Sequence, residues 1–238
     1  MNSRWWLSFI CIAIVSLSSG GLANVPVAEH VTYANSTYLP IILISPDVYI
    51  LPSYSTHLFF WALGLRYIDG EVQNGTANNI QNIQLAVTFY NSSGQIVATS
   101  HTAPFLPVLA AGDKTCFHFE LLDPADWSYY RFEPPTYEIG GQPLLNMSIF
   151  DTGFIGDPKW PSIQIYGYVR NDNPATVNNV LPIVTFYNEF GKVWDCDSAD
   201  VAPTALDPGQ AAFFHQTMDW IRNQTYSARF QVDGDLVK

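Results

Sequence analysis

Along residues 83–90 apolar side chains recur at every second position. Ile83, Leu85, Val87 and Phe89 alternate with Gln84, Ala86, Thr88 and Tyr90. A period of two predicts a half-buried β-strand, with Phe89 turned inward and Thr88 outward. "NSSG" (Asn91–Gly94) closes the run with Asn and Gly, where a hairpin needs positive φ. The pattern then repeats. "VTFYN" stands at Val87–Asn91 and again at Val184–Asn188, where "NEFG" (Asn188–Gly191) supplies the turn.

An offset of 97 places residues 67–118 on 164–215 with 15 identities in 52 ungapped positions. "GEVQN" (Gly70–Asn74) meets "GYVRN" (Gly167–Asn171), Leu109 meets Leu206, Gly112 meets Gly209, and "FH" at 117–118 meets "FH" at 214–215. This is a tandem duplication. Val72 and Val169 lie in an earlier strand ending at Asn74 or Asn171. "LAAGD" and "LDPGQ" form a later turn, and Tyr130/Phe132 and Ala228/Phe230/Val232 mark a last alternating strand. No segment sustains a helical period, so the predicted class is all-β: two tandem immunoglobulin-like β-sandwich repeats, at 46–142 and 143–238. Pro182 replaces Leu85 in register, which predicts an edge or a bulge there, since proline cannot donate to a ladder.

The ordered series G-x-V-x-N, V-x-F-Y-N-x-x-G, L-x-x-G and a phenylalanine strand resembles the FxLYD domain, an immunoglobulin-like sandwich of secreted and surface proteins of prokaryotes. Asn stands where that family more often has Asp after the Tyr. The resemblance covers most of residues 46–238 as two copies. It implies a fold and a location, and it brings no catalytic residues.

Upstream, Arg4 precedes the apolar run "WWLSFICIAIVSL" and then the small residues of "SSGGLA". That order reads as a secretory signal peptide over residues 1–23, cleaved after Ala23 to leave Asn24 first. The run is shorter than the roughly 20 residues of a spanning helix, so no transmembrane anchor is expected. Residues 24–45 form an N-terminal extension containing "YLPIILI" (Tyr38–Ile44). It reads as an extra strand or packed linker, or alternatively as a strand donated to a neighbouring subunit.

The chain has 10 Lys and Arg against 21 Asp and Glu, a net charge of −11, which excludes nucleic acid as a partner. Charged residues make up 13% and aromatic ones 15%, a balance that favours packed domains over disorder. The chain carries no H-E-x-x-H, G-x-S-x-G, C-x-x-C, phosphate-cradling loop or dinucleotide fingerprint. The reading is therefore a non-enzymatic structural or adhesive module without a cofactor, outside the cell or on its surface. Its partners would be surface proteins, glycans or copies of itself. The alternatives are a filament subunit joined by strand addition, a carbohydrate-binding module, and a secreted hydrolase.

His118 and His215 each follow an inward Phe, which places them on the outer face as ordinary solvent-side residues, and neither has a second metal ligand at short spacing. "DCDSAD" (Asp195–Asp200) holds three acids but lacks the ordered calcium loop. Trp61, Trp127, Trp160, Trp194 and Trp220 read as core or junction packing before sugar stacking. Five sequons occur. Asn74 and Asn91 have non-sequon repeat partners and read as turn residues, which leaves Asn35, Asn146 and Asn223 as candidate glycosylation sites. Cys116 and Cys196 remain after cleavage. They align with Phe213 and Thr99, so a disulfide between them would staple one repeat to the other; the alternative is two separate thiols.

Overall fold

A computed structural model describes residues 47–59, 64–141, 145–156, 162–219 and 227–237. The signal peptide, the 24–45 extension, Asn35, Asn223, Trp61, Trp160 and Trp220 lie outside the described residues. Those described form an all-β structure of 16 strands.

In sandwich 1, β3 (Leu65–Asn74) pairs with β7 (Lys114–Leu122) along one edge and with β1 (Val48–Ile50) and β2 (Ser55–Phe59) in succession along the other. The facing sheet centres on β4 (Ile80–Tyr90). Strands β5 (Ile96–Thr102) and β6 (Val108–Leu109) lie along one edge, and β8 (Tyr129–Phe132) and β9 (Thr136–Ile139) along the other. In sandwich 2, β10 (Met147–Gly156), β11 (Ser162–Asn171), β15 (Ala211–Asp219) and β14 (Asp200–Ala202) make one sheet. Strands β13 (Val193–Ser198), β12 (Val177–Tyr187) and β16 (Ser227–Leu236) make the other. Every ladder is antiparallel.

The offset of 97 survives into three dimensions: β3, β4 and β7 begin and end 97 residues before β11, β12 and β15. Phe89 and Phe186 are both fully buried, as the alternation predicts, each in its own core. Gly70 and Gly167 are shared because a Cβ on either would stand 2.5 Å from Phe117 Cζ or 2.7 Å from Phe214 Cζ. The glycine of G-x-V-x-N thus makes room for the phenylalanine of "FH". Its asparagine is a buried clasp. Asn74 Nδ2 donates to Leu109 O at 3.0 Å and to Asn78 O at 2.8 Å, and Asn171 Nδ2 repeats this on Leu206 O and Ala175 O, both at 2.8 Å. Asn91 and Asn188 cap their turns, each accepting the backbone N–H groups two and four residues on, with Gly94 and Gly191 at φ 80° and 70°.

Two outward assignments are overturned. Thr88 is buried on its own sheet between Thr99 and Arg131, its cross-strand neighbours. Thr185 is buried opposite Cys196 because sandwich 1 covers that face. The expectation at Pro182 is met on one side only. Pro182 sits in β12, the central strand of its sheet, paired with Val232, and the bulge falls earlier, between Asn178 and Leu181. Sandwich 1 has the equivalent bulge between Gln81 and Gln84 without a proline. The proline is tolerated because the β12–β13 ladder starts only at Ile183; Pro182 O accepts from Ala199 N at 2.8 Å just beyond that end.

Candidate functional site

Side chains at alternate positions of β3 and β7 leave the core of sandwich 1 and point to its outer face: Tyr67, Asp69 and Glu71 on one strand, Lys114, Cys116 and His118 on the other. Asp69, Glu71 and Cys116 are nevertheless buried, with Asp69 at 0% exposure and Glu71 at 1%. Strands β12, β13 and β16 of sandwich 2 bury them. A disulfide joins Cys116 to Cys196, with Cα atoms 6.2 Å apart, and Ile183 packs on the pair. The two candidate cysteines are thus brought together across the junction.

Glu71 is the polar centre of one half of this junction. Its Oε1 accepts from Tyr187 Oη at 2.7 Å and from Arg229 Nη2 at 2.8 Å, while Oε2 accepts from Lys114 Nζ at 2.9 Å. Arg229 Nη1 and Gln231 Nε2 also donate to Lys114 O, at 3.1 and 2.8 Å. A buried carboxylate costs free energy unless its oxygens are satisfied, and here both are. Burial, followed by the bond to Glu71, pushes the Tyr187 phenol up to about 12.

The other half gathers titratable groups. Asp69 Oδ1 lies 2.7 Å from His118 Nδ1, and Asp69 Oδ2 faces His57 Nδ1 across 3.8 Å, too far for a hydrogen bond. His57 stacks on Trp194 of sandwich 2, with centroids 4.7 Å apart and planes 15° apart. Asp195 joins Asp69 and His118, with one ligand atom from each lying within 4.8 Å of the others. Burial, and then the Asp69 charge, pushes the Asp195 carboxyl up to about 7. Burial pushes Asp69 upward against the pull of His118. Burial alone would lower His118, but the hydrogen bond and charge of Asp69 outweigh it and the imidazole is raised, so the pair holds its proton tightly. His57 is held down to about 4 by burial, then by the charges of His118 and Arg66.

His118 is therefore not a solvent-side residue. Its repeat partner His215 is exposed: position 166 holds Tyr where position 69 holds Asp, and among the described residues no strand packs over that face. Within "DCDSAD", Asp197 accepts from its neighbour's N–H and from Gln216 Nε2 at 3.4 Å, Asp200 is exposed, and only Asp195 enters a cluster, so the run does not converge on one ion. Asn146 is exposed, and its Nδ2 makes one long bond to Asp172 O at 3.3 Å. Trp127 packs on the core of sandwich 1 beneath Arg66, and Trp194 lies at the junction. Sequence reasoning missed Asp69, Glu71 and His57. The available signal was Cys116 itself, an outward residue whose bond to Cys196 requires a second sandwich over that face.

Among the described residues, no strand packs over the equivalent face of sandwich 2. Repeat positions that hold Glu71 and Cys116 in sandwich 1 hold Tyr168 and Phe213 here. Phe150 (36% exposed), Tyr168 (41%) and Phe213 (45%) form a row with centroid spacings of 5.6 and 5.4 Å, which His215 extends at 6.0 Å. Arg170 lies over Phe150 at 5.9 Å and pairs with Asp172 at 2.6 Å.

No protein-family model and no curated protein sequence matches the chain. Among solved structures it is similar to the exo-β-D-glucosaminidase CsxA (11% identity, TM-score 0.28, 79% of this chain and 25% of that one). A structure of Amycolatopsis orientalis exo-chitosanase CsxA gives 9% identity and TM-score 0.28 over the same shares. Red sea bream transglutaminase gives 9% identity and TM-score 0.25, over 78% of this chain and 29% of that one. The chain spans about a quarter of the length of these structures. Among the described residues no helix is long and apolar enough to cross a membrane.

Proposed function

We propose that the protein is a non-catalytic adhesive module, secreted or held at the cell surface, that grips neutral polysaccharide through the outer face of sandwich 2. The row Phe150–Tyr168–Phe213 carries this reading. Exposed aromatic rings are unusual on a sheet face that has no partner, and contiguous apolar patches on proteins mark contact sites. Phe150 and Tyr168, 16° from parallel, offer apolar surface to the C–H faces of a sugar chain, Phe213 at 63° to Tyr168 extends that surface, and Arg170 and Tyr168 Oη supply polar contacts at its rim. A net charge of −11 repels acidic glycans, which points to a neutral chain. Sandwich 1 has spent its equivalent face on the junction, so the duplication divides the labour: one copy is capped and the other is left to bind.

Affinity electrophoresis in gels cast with amylopectin, xylan or alginate tests this. At least one neutral polymer should retard the protein, Tyr168→Ala and Phe213→Ala should abolish the retardation, and alginate should have no effect. Failure of both neutral gels, or equal retardation of the variants, overturns the reading. Concentration-dependent dimers that are lost in Phe213→Ala would reassign the face to a second copy of the chain.

A further inference from the structure

We propose that the junction between the sandwiches binds one divalent transition-metal ion of the zinc class, with Asp69, His118 and Asp195 as ligands and His57 as the adjacent fourth donor. Three observations carry this. First, the candidate ligand atoms of Asp69, His118 and Asp195 already lie within 4.8 Å of one another. Two atoms bound to one tetrahedral zinc ion at about 2.0–2.2 Å stand about 3.3–3.6 Å apart, so side-chain movements of about 1 Å close the shell.

Second, the cluster has an electrostatic deficit. The Asp69 side chain has no exposed surface, yet its Oδ2 accepts no hydrogen bond, and buried His57 Nδ1, which it faces at 3.8 Å, has none either. A buried carboxylate oxygen without a donor is costly. Sharing a proton between Asp69 Oδ1 and His118 leaves Oδ2 unrelieved, whereas a cation between Oδ2 and Nδ1 satisfies both atoms, 3.8 Å being within a few tenths of an ångström of the separation of two tetrahedral zinc ligands. The aromatic stack on Trp194 holds His57 in place, and the Arg66 guanidinium is engaged by Asp123.

Third, the ligand types select the ion. Two imidazoles with two carboxylates suit zinc and its first-row neighbours, calcium takes oxygen alone, and the junction's cysteines are tied to each other. Two carboxylates neutralise a divalent charge. The site has no counterpart at the repeat positions, which hold Tyr166, His215 and Ala98. Sandwich 1 supplies Asp69, His118 and His57, and sandwich 2 supplies Asp195, so the ion would tie the two together beside the disulfide.

The test uses the full oxidised chain after dialysis against EDTA. Titration with ZnCl2 in a calorimeter should show one ion per chain, and CoCl2 should give visible d–d bands of nitrogen and oxygen ligation. Asp195→Asn and His118→Gln should each weaken zinc binding by at least about tenfold and lose the cobalt bands. His215→Gln, the internal control, should bind as the parent does. A near-UV circular dichroism spectrum matching the parent's shows that a variant which fails to bind is still folded. The proposal is overturned by the absence of saturable zinc binding, by Asp195→Asn binding zinc like the parent, or by CaCl2 competing with zinc at equal concentration.

Discussion

Replacing Glu71 with Gln removes one charge and almost no volume from the junction. In the parent, one carboxylate that is 1% exposed receives Tyr187, Arg229 and Lys114. The amide oxygen can still accept from Tyr187 and Arg229, but its NH2 would face the Lys114 ammonium, donor against donor. A hydrogen bond to a charged group contributes about 1.5–3 kcal/mol and a neutral one about 0.5–1.5 kcal/mol, so each conversion costs about 1 kcal/mol. Lys114 is 36% exposed and regains water, which makes its share small; Arg229, at 27%, loses more. The expected total is about 2 kcal/mol. Removing one partner of a fully buried pair costs about 3–5 kcal/mol, which sets the ceiling. Urea unfolding of the oxidised protein, followed by tryptophan fluorescence, measures it. A double-mutant cycle with Arg229→Gln should return a coupling of about 1–2 kcal/mol. A loss below about 0.5 kcal/mol, the range of ordinary surface changes, with coupling near zero, would mean that sandwich 2 does not seal this face.

Three further outcomes follow from the packing. Phe89→Ala and Phe186→Ala should each cost about 3–5 kcal/mol in chemical denaturation, because both rings are fully buried; a loss below about 1 kcal/mol would show the ring to be surface. Gly167→Ala should cost about 1–3 kcal/mol, since its Cβ would meet Phe214 at 2.7 Å and Thr152 at 2.9 Å, and a neutral result in thermal melts would contradict that packing. Opening the disulfide with Cys116→Ala and Cys196→Ala together releases a loop of 80 residues, and the chain-entropy relation sets the loss at up to about 4.5 kcal/mol; unchanged unfolding would show that the bond constrains nothing.

The residues that made the fold legible are those that act within one copy. Asn74 and Asn171 clasp their own loops, Gly70 and Gly167 admit their own phenylalanines, and Asn91 and Asn188 close their own hairpins, so each leaves a local pattern that repeats at 97. What escaped is what one copy does to the other. Asp69, Glu71, His118 and Thr185 occupy outward positions, where alternation predicts solvent, and the packing of sandwich 2 onto sandwich 1 buries Asp69, Glu71 and Thr185 and half-buries His118. The cysteines held the missing clue: Cys116 and His118 share a face, so a bond from Cys116 to Cys196 is incompatible with a solvated His118. Trp194 likewise reads as core or junction from sequence, and its stack on His57 decides for the junction.

The account turns on one asymmetry: the outer face of sandwich 1 is covered by sandwich 2, and the equivalent face of sandwich 2 is left uncovered by the other described residues. Hydroxyl-radical footprinting of the oxidised protein, read by mass spectrometry, tests it directly. Tyr168, Phe150 and Phe213 should be oxidised rapidly, while Tyr187 and Trp194 should be protected until the junction is opened by Glu71→Gln combined with reduction of the disulfide. Equal oxidation of Tyr187, Trp194 and Tyr168 in the intact protein would contradict the account.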